Sequence, residues 1–187
     1  MSSLLVFPGQ GAQQPGMLQR LPQSPQTRAC LQEASDVLGQ DVLTLDSPQA
    51  LASTRAVQLC LLIAGVAAAR TLLQPDTRVN YVAGLSIGAY PAAVVAGALE
   101  FADALRLVSL RGELMQQAYP QGYGMTALIG LELAAVEGLL AQVHSSQRPV
   151  YLANINADNQ VVIAGSDAAM HALSLIHISE PTRPERI

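Results

Sequence analysis

The chain has 187 residues, half of them hydrophobic and 13% charged, and its ten positive charges are all Arg against fourteen acids, for a formal net charge of −4. Without a single lysine, a P-loop lysine and a Schiff-base lysine are excluded. Without a basic run, neither nucleic acid nor a membrane surface is an expected partner. There is no Trp, so a core has to be built from Ala, Leu and Val. Cys30 and Cys60 stand alone, with no CxxC or HExxH pattern nearby. They are read as buried thiols of a cytoplasmic protein, and no metal site or bound cofactor is expected. No charged segment precedes the first apolar run, so no secretory signal is read, and the longest apolar stretch, Leu59 to Ala69, is too short to span a bilayer.

In chain order, Leu4 to Phe7 reads as a fully buried strand that ends at Pro8-Gly9. Apolar residues at helical spacing between Thr27 and Leu38, followed by Gly39, predict a surface helix with a glycine cap. Arg55 to Leu73 is apolar on nearly every face and predicts a helix buried under a sheet. Tyr81 to Leu85 reads as a second buried strand, running directly into Ser86-Ile87-Gly88 and a helix that ends near Gly97. Pro91 falls early in that helix, where it should bend the first turns. A further helix, Glu100 to Gln117, stops before the Pro120, Gly122, Gly124 cluster, which marks a boundary. Beyond it come a strand over Met125–Ile129, a helix over Glu132–Val143 and strands over Val150–Asn154 and Gln160–Ala164, joined at Asn156-Ala157-Asp158-Asn159. A helix capped by Ser166 follows. This order matches the first five parts of a split βαβ, ferredoxin-like unit. After about Leu173 the sequence changes character. The segment 174–187 looks non-native, and the chain is read as truncated.

Three motifs carry chemistry. Gly84-Leu85-Ser86-Ile87-Gly88 fits the GxSxG nucleophile elbow, in which small residues allow a strained turn to present a serine hydroxyl at a helix start. Backbone N–H groups of that first turn, beginning with Ile87, are placed to stabilise an oxyanion. Arg111 has Leu107, Val108, Leu114 and Met115 as helical neighbours, which puts a charge on an apolar face. A guanidinium there should meet a carboxylate or a pocket that receives one. Finally, Gly9-Gln10-Gly11-Ala12-Gln13 follows a strand but lacks the dinucleotide spacing. It is either a polar turn or a second oxyanion donor through Gln10.

Taken with Phe7-Pro8, Gly112 and Met115, Gly122-Tyr123-Gly124-Met125, Asn154-Ile155-Asn156 and Gln160 to Gly165, these motifs resemble the malonyl-CoA:acyl-carrier-protein transacylases over residues 3 to about 173. The resemblance implies an α/β acyltransferase fold: an α/β-hydrolase-like parallel-sheet core over 1–121 and an incomplete ferredoxin-like subdomain over 122–173. It also implies roles. Ser86 carries the acyl ester, Arg111 clamps the free malonyl carboxylate, and the N–H groups of Gln10 and Ile87 form the oxyanion hole. The substrate would be malonyl-CoA and the acceptor the phosphopantetheine-type thiol of an acyl carrier protein, reached by a ping-pong route.

Leu85 stands where most members have His, and Ala89 where most have Glu. This looks more like the epsilon-subunit branch of malonate decarboxylases, whose other subunits would then be partners. The family's histidine base lies beyond the ferredoxin-like subdomain, in a context that His144, His171 and His177 do not match, so little turnover is expected. Two other readings stay open: a serine esterase of the α/β-hydrolase type, and a non-catalytic docking module for a carrier protein.

Overall fold

The computed structural model describes residues 3–73, 77–118 and 121–176. It divides into two compact units, Met1–Ala118 and Tyr119–Ile187. Pro120, His177 and residues 178–187 of the segment read as non-native lie outside the described residues.

In the first unit, β1 (Leu4–Phe7) and β2 (Tyr81–Gly84) pair in parallel, with Leu4 opposite Tyr81 and Phe7 opposite Gly84. Among the described residues, four α-helices accompany them: α1 (Pro25–Leu38), α2 (Thr54–Leu72), α3 (Ala89–Val95) and α4 (Phe101–Ala118). The start of α1 precedes the apolar periodicity because Ser24 accepts a hydrogen bond from Thr27 N–H and Pro25 sits in the first turn, where its missing N–H removes nothing. Gly39, in the left-handed conformation at φ +65°, ends the helix.

The core is centred on α2, with eleven buried residues between Ala56 and Ala69. They pack against Cys30 and Ala34 of α1 and against Phe101, Ala104, Leu105 and Val108 of α4. At 19 residues and a mean hydropathy of 1.4, α2 is longer than the Leu59–Ala69 stretch and passes the length and composition test for a membrane span, but its apolar surface is spent on this core.

The two strands are not fully buried. Leu4, Val6 and Tyr81 are 58%, 61% and 65% exposed, whereas Leu5, Phe7 and Val82 pack toward Ala69 and Ala92. A two-stranded sheet covered on one face alternates with period two, and a continuous apolar run does not reveal which face is covered.

The segment after β1 is tied down by Asp46, which is fully buried. One carboxylate oxygen accepts from Leu18 N–H at 2.8 Å and the other from Gln19 Nε2 at 3.2 Å, while the Asp46 carbonyl accepts from Gly16 N–H at 2.9 Å.

The second unit runs β3 (Tyr123–Ile129), α5 (Leu133–Val143), β4 (Val150–Ala157), β5 (Gln160–Ser166) and α6 (Asp167–Ile176). The sheet is antiparallel in the order β3-β5-β4, and Asp158-Asn159 forms the turn between β4 and β5. Val136 and Leu140 of α5 and Ala169 and Leu173 of α6 cover Val161 and Ile163 of the central strand. Ser166 Oγ accepts from Ala169 N–H at 3.2 Å and so caps α6. That helix continues through Ser174, Leu175 and Ile176, past the change in sequence character at Leu173, since none of these residues breaks a helix.

Burial pushes the Cys30 thiol from its ordinary value of 9.0 up to about 11, with the Arg70 charge opposing, and the Cys60 thiol up to about 12, helped by Asp46. Both should therefore resist iodoacetamide at about pH 8 in the folded protein and react after unfolding in guanidinium. The unfolded thiols ionise first as pH rises, so stability should fall between about pH 9 and 12. Rapid labelling of the folded chain would contradict this.

Candidate active site

The GxSxG segment forms a sharp elbow. β2 ends at Gly84, residues Ser86–Gly88 make one 3-10 turn, and α3 begins at Ala89. Ser86 has φ +53°, the only positive φ among described residues other than glycine. Such a backbone costs about 1–3 kcal/mol and persists only where its surroundings enforce it. Here they are two glycines. A Cβ on residue 84 would sit 2.0 Å from the Gly88 carbonyl oxygen, and one on residue 88 would sit 2.3 Å from the Phe7 carbonyl oxygen. Both flanks of the serine are thus pressed backbone to backbone, which leaves its side chain exposed. Pro91 lacks the N–H that would bond the Ile87 carbonyl, and Ala89 N–H takes that carbonyl together with that of Ser86. The strain is accommodated as a 3-10 turn ahead of the α-helix.

Leu85 N–H donates to the Phe7 carbonyl at 3.2 Å, so the loop leaving β1 and the elbow leaving β2 lie side by side. Gln10, half-buried, follows three residues after β1, and Ile87, buried, follows Ser86. Gly11 N–H is occupied by Gln13 Oε1 at 2.7 Å.

Arg111 arrives from α4. Its Nη2 donates to Ser86 Oγ at 3.1 Å and its Nη1 to Gln58 Oε1 at 2.6 Å. The route to this position differs from the sequence expectation. The buried stripe of α4 is Phe101, Ala104, Leu105, Val108 and Gly112, whereas Leu107, Leu110, Leu114 and Met115 are 47%, 53%, 57% and 44% exposed. Arg111 therefore lies beside the buried stripe, half-buried, and most of the apolar residues around it face outward. Periodicity shows that a helix has apolar faces but not which one is covered.

What brings the guanidinium inward is a close helix crossing. A Cβ on Gly112 would lie 2.5 Å from Arg55 Cα, so α4 rests directly on α2, and Gln58, one turn along α2 from Arg55, comes within reach of Arg111. The crossing is bordered by Arg55 Nε, which donates to Ser109 Oγ at 2.8 Å and pairs with Glu113 at 3.0 Å.

Gln58 is the residue that the sequence reading passed over. It is fully buried, and its Nε2 donates to Met115 Sδ at 3.3 Å. The available signal was a lone amide in an otherwise apolar helix, because a buried polar side chain needs partners.

No histidine occurs in Met1–Ala118, the unit that holds Ser86. His144 ends α5, where its Nδ1 lies 2.9 Å from the Val150 carbonyl, and His171 is exposed on α6. Among the described residues no cluster of His, Cys, Asp or Glu could hold a metal. The arrangement offers an accessible hydroxyl on a strained turn with a cation against it, suited to an acyl group that carries its own negative charge.

The family model described as "Acyl transferase domain" matches residues 4–177. The chain belongs to this family. It is 43% identical over 173 residues to the malonyl CoA-acyl carrier protein transacylase of Haemophilus influenzae, covering 89% of this chain and 55% of that protein. For the Escherichia coli K12 transacylase the identity is 42%, with 88% and 55% covered. The chain thus spans about half the length of the curated relatives it matches. Among solved structures, FabD from Acinetobacter baumannii superposes with a TM-score of 0.90 at 38% identity, covering all of this chain and 61% of that one. A malonyl-transacylase solved in complex with a type II polyketide synthase acyl-carrier protein gives 0.89 at 36% identity, with 100% and 62% covered.

Replacing Gly112 with Ala should push α4 off α2. The expected outcome is a loss of about 1–3 kcal/mol in urea denaturation, as for other overpacked sites. Unchanged stability would show that the crossing tolerates a methyl group.

Proposed function

We propose that this chain serves a transferase that moves a malonyl group from coenzyme A to the thiol of an acyl carrier protein through an ester on Ser86. In the first step the Ser86 hydroxyl adds to the thioester carbonyl of malonyl-CoA, a proton is lost from Oγ, and the C–S bond breaks to release coenzyme A as its thiol. In the second step the phosphopantetheine-type thiol of an acyl carrier protein attacks the serine ester, and Oγ takes a proton back. Arg111 grips the distal carboxylate by charge-assisted hydrogen bonds, and the N–H groups of Gln10 and Ile87 receive the oxyanion.

The single observation that carries this reading is the 3.1 Å contact between Arg111 Nη2 and Ser86 Oγ. A malonyl group is only three carbons long, so a guanidinium that reaches Oγ also has the carboxylate of an acyl group carried there within its reach. The transacylases that the chain resembles support the same chemistry. A serine esterase gives no reason for a guanidinium on its nucleophile, and a docking module gives none for a strained serine. Met1–Ala118 has no histidine, so no histidine of this unit takes the proton from Ser86.

An α/β-hydrolase-like core over 1–121 is supported by the parallel pair and the elbow, and a ferredoxin-like subdomain over 122–173 by the β3-β5-β4 order. A role in malonate decarboxylation, beside other subunits of such a complex, rests on Leu85 and Ala89, which place an apolar side chain and a methyl group around the serine.

Incubation with malonyl-CoA followed by intact-mass measurement should show a single malonyl adduct, absent in Ser86→Ala. Arg111→Ala should lower malonylation by about tenfold or more, as expected for a lost charged hydrogen bond, and leave acetylation from acetyl-CoA undiminished. An adduct that survives Ser86→Ala, or an unchanged malonyl preference in Arg111→Ala, would overturn the assignment.

A further inference from the structure

The Gln58 amide is gripped at both ends from one helix. Arg111 holds its oxygen and Met115, four residues and one turn later on α4, holds its nitrogen. A guanidinium carries only donors, so a flipped amide would set N–H against N–H on one side and leave the sulfur facing an oxygen on the other. Orientation matters because Gln58 is fully buried and water cannot replace a lost partner. Met115 itself is not there as core filler: it is 44% exposed and continues the outward row of Leu107, Leu110 and Leu114. What distinguishes it from those leucines is the sulfur, a weak acceptor.

We propose that Met115 is a positioning residue, whose thioether fixes the Gln58 amide so that Oε1 faces Arg111 and thereby sets where the guanidinium stands beside Ser86. The kinetic part of this inference rests on the malonyl-transfer reading. The structural part does not.

The test uses the whole chain and three variants. Met115→Leu keeps the apolar bulk and removes the acceptor, Met115→Gln restores an acceptor, and Leu110→Ala is a control on the same exposed row. Nuclear magnetic resonance follows the side-chain amide of Gln58 and the Nε–H of Arg111. In the unmutated chain, one of the two Gln58 amide protons should exchange with water more slowly than its twin. In Met115→Leu, both Gln58 and Arg111 resonances should move. In Leu110→Ala, neither should. In parallel, the concentration of malonyl-CoA that half-saturates acylation of Ser86 should rise about three- to tenfold in Met115→Leu, the equivalent of one ordinary hydrogen bond. The maximal rate should change less than twofold and acetyl-CoA should be unaffected. Met115→Gln should recover the malonyl value.

Unmoved Gln58 and Arg111 resonances, or a loss shared equally by malonyl-CoA and acetyl-CoA, would overturn the proposal. If the unmutated chain takes no acyl group at all, the transfer reading fails, and the resonances alone still decide the role of Met115. If Met115→Leu does not fold, the exchange asymmetry in the unmutated chain decides it.

Discussion

A guanidinium held against a serine oxygen is the interaction around which the candidate site is arranged. Neither group reaches that position by itself. Ser86 is presented by a backbone forced into the left-handed region, and Arg111 is drawn to it by an amide buried in a different helix. The two arrangements share one device, the absence of a side chain where backbones must touch: Gly84 and Gly88 at the elbow, Gly112 at the crossing of α2 and α4. Small residues at these points convert chain topology into the spacing of two reactive groups, which chemistry alone could not set.

The helix pair matters as much as the elbow. Helix α2 supplies more of the first unit's core than any other element, and near its start carries a polar amide that would be destabilising without its partners. Those partners are Arg111 and Met115, so the helix that stabilises the unit also orients its charge. Stability and positioning are thus coupled. A change that loosens the crossing should be felt at the serine, and a change at the serine need not be felt in the core.

Much of this was legible in the sequence. The elbow could be read from Gly84, Ser86 and Gly88, because only such residues permit the turn, and the order of strands and helices followed from periodicity and cap residues such as Gly39 and Ser166. What could not be read was which apolar surfaces are covered. Leu4, Val6 and Tyr81 have the composition of buried strands yet lie on an open face, and the apolar neighbours of Arg111 point mostly outward. Local pattern reports an apolar face, and only packing decides its fate. Gln58 escaped for a related reason: one amide scarcely changes the apolar character of a 19-residue helix, and its meaning appears only when α4 is laid across it.

The most direct test of the account is a crystal structure of the chain after reaction with malonyl-CoA. It should show an ester on Ser86 Oγ, its carboxylate about 2.7–2.9 Å from an Arg111 nitrogen, and its carbonyl oxygen toward the N–H groups of Gln10 and Ile87. A malonyl group bound through another residue, or one on Ser86 whose carboxylate turns away from Arg111, would contradict it.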